Sequence, residues 1–228
     1  TGVGNGVIIE GVFASDGSVL SPSFFFFFND AAVDWELTLN GTSTLANKVV
    51  VKRSNASPGL GVLATNSISL GNNTNWVGLV EPPAFTWTGA VNNNFNVAGN
   101  WYGGVVPTTT SDVYFKDYFS VDCTINANIN VKSISIDTNY NKTITQSGAF
   151  TINVGVGGWT QNGGTFVGGS GAITIANANF VLAGGDFTST SGTLSVNGGS
   201  WTSNSGTPTF NANSGTVYIR QPFNTAIT

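Results

Sequence analysis

Residues 169–177 read GSGAITIAN, and the phrase returns as QSGAFTINV at 146–154, TSGTLSVNG at 190–198 and NSGTVYIRQ at 213–221. The glycines of these Ser-Gly steps, Gly148, Gly171, Gly192 and Gly215, stand 23, 21 and 23 residues apart. A second series keeps the same beat, with Trp159, Phe180 and Trp201 spaced by 21 and 21. Two markers holding one period indicate an internal repeat, and a repeat of about 22 residues built from short strands is one coil of a solenoid. Within each phrase the apolar residues alternate, so Ile173 with Ile175, Leu194 with Val196 and Val217 with Ile219 share one face of an extended chain. That face is buried if the coils stack. The predicted fold is therefore all-β, a parallel β-helix. Its inward core is Trp159, Ile173, Ile175, Phe180, Leu194, Val196, Trp201, Val217 and Ile219. Gly and Asn at the corners are expected to supply the positive φ that a tight change of direction requires.

Composition agrees with strands and turns. Only 8% of the 228 residues are charged while 40% are hydrophobic, which is too apolar for a disordered chain. Thirty glycines supply turns at short intervals, and His and Met are absent. A net charge of −4 argues against nucleic acid and against anionic membrane surfaces as partners. No apolar run is long enough to insert as a transmembrane helix. Cys123 is the lone cysteine; with no His to activate it, it reads as a small buried hydrophobe.

The N-terminal third also reads as strands, in WELTLNG (35–41), NKVVVKRSN (47–55) and LGVLATNSISL (60–70). Consecutive prolines in VEPPAF (80–85) cannot continue a sheet and mark a boundary. Three segments follow: 1–83, the end of an upstream β-helical part; 84–120, a Trp-rich linker and cap; and 121–228, a Gly/Asn/Ser/Thr-rich solenoid expected to continue further. The opening TGVGNGVIIEG lacks the basic and apolar regions of a signal peptide, and the chain reads as a piece of a longer polypeptide. In SPSFFFFFND (21–30), a strand would put Phe24, Phe26 and Phe28 on one face and Phe25 and Phe27 on the other. Both faces then need cover, and Phe25 and Phe27 are candidates for a partner surface.

Two stretches resemble modules of very large secreted surface proteins of Bacteroidota. FTWTGAVNNNFNVAGNWYGGVVPTTTSDVYF (85–115) is similar to a module that leads into a β-helix there, through Trp87, Gly89, Phe95, Asn100, Trp101, Gly104, Pro107, Asp112 and Val113. Phe95 stands where Trp is commoner. VVVKRSNASPGLGVLATNSISLGNNTNW (49–76) is similar to the closing coil of β-helical repeats in the same proteins, through SNAS, ATNS and GNNTNW. The resemblance covers about a quarter of the chain. It implies an extracellular, cell-surface adhesin-like protein exported by the type IX secretion system, with a link to gliding motility. It also implies a structural cap at Trp87, Trp101, Pro107 and Asp112, with Trp76 closing the upstream repeat.

Catalytic and metal chemistry finds little support. Glycoside hydrolysis needs two carboxyl groups flanking one bond, yet Asp186 is the sole acid from residue 141 to the end. Asp34 and Glu36 share a strand face, followed by Lys48, Lys52 and Arg53, which suits cross-strand charge pairs better than acid–base work. No catalytic residue and no cofactor is expected. The one metal considered is calcium at Asp112, Asp117 and Asp122, whose five-residue spacing is too irregular for a calcium loop. Trp87, Trp101, Trp159 and Trp201 either stack on sugars or fill the coil; the repeat period of the last two favours filling. An ice-binding face needs Thr-x-Thr in register across coils, and no such row is legible. The leading expectation is a non-enzymatic stalk and adhesion segment of a long surface protein. Its partners would be flanking domains of the same polypeptide, surface glycans or other cells, and the secretion machinery during export. The alternative is a carbohydrate-binding or carbohydrate-cleaving β-helix module.

Overall fold

Strands with alternating apolar residues have one face to bury, and here they bury it by stacking in parallel, coil upon coil. The computed structural model describes residues 34–39, 44–119, 121–203 and 208–220, with the backbones of strands Gly6–Ile9, Phe13–Ser15 and Phe25–Phe28. The chain divides into two units, Thr1–Pro82 and Pro83–Thr228, at the paired prolines. Among the described residues there is no α-helix, only a 3-10 turn at Ala98–Asn100.

In the second unit each coil contributes to three columns of strands, and every strand pairing is parallel. One inward column runs Val113, Ile134, Trp159, Phe180, Trp201. A second runs Ile129, Ile152, Ile173, Leu194, Val217. The third runs Cys123, Ile144, Phe166, Phe187, Phe210. Steps of 21 residues dominate, as from Ile152 to Ile173 and on to Leu194. The step from Ile134 to Trp159 is longer because the register shifts between Val131 and Ser133. The long strand Ile152–Gln161 serves two columns, pairing with Ile173–Ala176 through its first half and with Phe180–Leu182 through its second.

Burial follows position in the stack. Trp159, Ile173, Ile175, Phe180, Leu194 and Val196 are wholly buried. Trp201 and Val217 are partly buried against the same core, and Ile219 is 49% exposed. The expected core is thus closed through Val196 and opens in the last described coil, where inward side chains have a neighbouring coil on one side only.

The recurring glycines have a different cause from the expected one. Of the four, only Gly148 has a positive φ, 56°. A Cβ at Gly171, Gly192 or Gly215 would strike the backbone carbonyl of Phe150, Ser170 or Thr190 in the preceding coil. The phrase needs glycine chiefly because coils meet backbone to backbone there. Positive φ at corners falls on residues such as Asn177 and Asn213 instead.

The first unit is a smaller solenoid with the same parallel pairing. Its coils shorten: Leu45 pairs with Leu63 eighteen residues on, and Leu63 with Val77 fourteen residues on. The core is correspondingly slight, with Leu37, Leu39, Ala46, Val49, Val51, Ala56 and Val62. Polar side chains hold the closing turns. Asn73 accepts from the Ser54 amide (3.0 Å) and donates to the Val51 carbonyl (2.9 Å), while Asn75 donates to the Ala56 carbonyl (3.1 Å). Trp76 donates to the Ser54 hydroxyl (2.9 Å). These bonds give SNAS and GNNTNW a physical reason to occur together, one coil apart.

Candidate functional site

The segment between the prolines and the first full coil covers the start of the second solenoid. Thr86 forms a parallel bridge with Tyr114, and Asn94 another with Thr124, so the segment imitates a coil at two of the three strand columns. Trp87, Phe95 and Trp101 are buried beneath it. Their rings meet edge to face, with centroids 5.0 Å apart for Trp87 and Trp101 and 4.6 Å apart for Phe95 and Trp101. Each indole finds a carbonyl, Trp101 that of Phe95 (2.7 Å) and Trp87 that of Val121 (3.2 Å). This aromatic plug keeps water from Val113 and Phe115, the first inward residues of the stack. Pro107 is buried in the same segment.

The plug is organised by Asn100, a fully buried side chain. Its carbonyl oxygen accepts from the amides of Val91 (2.8 Å) and Asn92 (2.9 Å), and its nitrogen donates to the Asn92 side chain (2.9 Å) and the Asn94 carbonyl (2.8 Å). A buried amide with both ends satisfied fixes a loop that has few backbone bonds of its own. At Gly89, φ is 59° and an added Cβ would lie 2.5 Å from Val121 Cγ1, so this position admits only glycine. The sequence marks Asn100 and Gly89 through the family pattern; the reason for each is tertiary.

Two expected cap residues sit elsewhere. Trp76 lies on the last strand of the first unit, Trp76–Val80, and packs against that unit's core. Asp112 lies on the first strand of the second solenoid, Asp112–Phe115, where it faces outward. It accepts from Lys132 Nζ (2.8 Å) and from the Ser133 hydroxyl (2.6 Å), one coil on. These bonds, Lys132's first, hold its carboxyl below the ordinary 3.8. Asp122 accepts from the Thr143 amide (2.9 Å). Asp112 and Asp122 are thus occupied in tying coils together, and among the described residues no group of three or more metal-ligating side chains occurs. Asp34 pairs with Arg53 at 3.4 Å, and Asp186 accepts from the Thr209 hydroxyl. Cys123 is buried in the core, and burial pushes its thiol well above the usual range, with the Asp122 charge adding to this. The strand Phe25–Phe28 pairs in register with Val49–Lys52, while the partner-surface role of Phe25 and Phe27 concerns side chains outside the described residues, as does Phe24.

Outward columns are short and mostly neutral. Thr143, Thr165, Asp186 and Thr209 form one, and Thr124, Thr145, Val167, Thr188 and Asn211 form its neighbour. A threonine row hidden in the sequence is therefore real, but Asp186 and Val167 interrupt it. In the first unit, Leu45, Leu63 and Val77 form an exposed apolar column. The concave feature of interest is a groove of 270 Å³ where the cap meets the first coil, with Val106, Pro107 and Ile129 below and Asn96, Asn128 and Asn130 around it. Comparison with protein-family models, with curated proteins and with solved structures gives no match.

Proposed function

We propose that this chain is a non-enzymatic structural segment of an extracellular cell-surface adhesin, a rigid stalk that also presents adhesive surfaces. The observation that carries it is the parallel register maintained from Asp112 to Arg220 over a core plugged at its start. A solenoid of this kind contacts only its neighbouring coils, so length is gained by adding coils without redesigning a core. Supporting it, Asp34, Asp112 and Asp186 are each engaged by another side chain rather than gathered around a cleft. Export by the type IX secretion system and display at the cell surface follow from the resemblance of residues 49–76 and 85–115, and are part of the proposal.

Beads coated with the chain, offered to cells and to immobilised glycans, test adhesion directly. Attachment above that of beads carrying an unrelated β-solenoid is the expected result. In parallel, no turnover of pectin, alginate, chitin or β-glucan is expected. Hydrolysis abolished by Asp34→Asn, Glu36→Gln or Asp186→Asn would replace the structural reading with an enzymatic one.

A further inference from the structure

The groove between cap and first coil carries a more specific conclusion, which deepens the adhesion reading by naming a ligand class. We infer that it is a binding site for a neutral sugar residue. Its three asparagines have their carbonyl ends committed. Asn128 accepts from the Thr151 backbone amide (2.9 Å), Asn96 from the Asn126 side chain (2.8 Å) and Asn130 from the Asn153 side chain (2.8 Å). Asn126 is itself fixed, since its own carbonyl takes the Asn96 backbone amide at 3.4 Å. Each bond sets the orientation of an amide, and the Nδ2 groups of Asn96, Asn128 and Asn130 are left with no acceptor in the protein.

The result is a set of pre-oriented donors around an apolar floor, which is the usual make-up of a small-molecule site. Such a rim wants a ligand rich in acceptor oxygens, and the floor of Val106, Pro107 and Ile129 wants a hydrocarbon face. A sugar ring offers both, with hydroxyl, ring and acetamido oxygens at its edge and C–H groups on its face. Charge selects the neutral members of the class. No lining residue is charged, so a carboxylate or sulfate would lose water without gaining a counter-charge. The net charge of −4 disfavours anions further.

Titration of the full ¹⁵N-labelled chain with N-acetylglucosamine and its disaccharide, followed by NMR, tests the site. Thr109, exposed on the groove wall and without side-chain bonds, can be changed to Trp to fill the space without touching the cap. Expected are shifts confined to residues 96, 106–109 and 127–130, and a loss of affinity of at least about tenfold in Thr109→Trp, with an unchanged melting temperature. Absence of shifts there, equal affinity in Thr109→Trp, or tighter binding of glucuronate or a sulfated sugar would overturn it. Bead adhesion separates the two levels. Adhesion that survives Thr109→Trp overturns the groove as the adhesive site and leaves the adhesin reading standing. If the wild type does not adhere at all, the adhesin reading falls and the titration alone decides the groove.

Discussion

Trp159 and Trp201 occupy the same inward column and differ in what lies above them. Trp159 is closed in by Phe166, Phe180 and Phe187, whereas Trp201 meets Phe180 and Phe210 and is only partly buried. Trp159→Ala should therefore cost about 3–5 kcal/mol in chemical denaturation, and Trp201→Ala clearly less. The indole nitrogen of Trp159 has no hydrogen-bond partner, so Trp159→Phe should recover most of the loss. Asp112 gives a pH signature. Its folded-state pKa is depressed, so its contribution is complete above the unfolded value and disappears as pH falls through the lower folded one. The pair is largely exposed and its contribution modest. Denaturant midpoints of wild type and Asp112→Asn should differ at neutral pH and converge well below pH 3.8.

Among the elements, the cap is the one whose integrity hangs on a single side chain. Asn100→Ala would leave the amides of Val91 and Asn92 without their acceptor, at about 1–3 kcal/mol for each that stays buried. The damage should be local. Hydrogen exchange is expected to accelerate across residues 85–107 and the strand Asp112–Phe115 while Ile173–Ala176 keeps its protection. Uniform acceleration along the chain would show that the segment is an integral part of the stack rather than a cap upon it. At the corners, buried Gln146 acts in a similar way, bonding Gly171 (3.0 Å) and Gly169 (3.0 Å) of the next coil. Sequence periodicity gives no hint of it, because a glutamine within TITQ looks like one more solvent-facing polar residue.

For the second solenoid taken whole, stability is a sum over coils and their interfaces, so it should not be uniform along the stack. Native-state hydrogen exchange should find the slowest amides in strands Ile152–Gln161, Ile173–Ala176 and Thr193–Asn197, with protection falling toward Thr209–Asn211 and Thr216–Arg220. One cooperative step with equal protection throughout would contradict this. The all-β class, the period and the inward residues from Trp159 to Val196 were legible in the sequence, because a repeat imposes the same alternation in every coil and local spacing records it. The Trp plug was legible only through family resemblance, since an aromatic over the end of a stack has no periodic signature. Parallel register and the outward threonine columns needed the fold, because they compare residues about 21 apart after loops of unequal length have been absorbed. Tertiary structure alone assigned the glycines to backbone contact between coils, gave Asp112 to Lys132 and Ser133, and turned three asparagine carbonyls inward to leave their amides free. Each of these depends on which groups meet across coils, and a strand's own alternation carries no record of its neighbours.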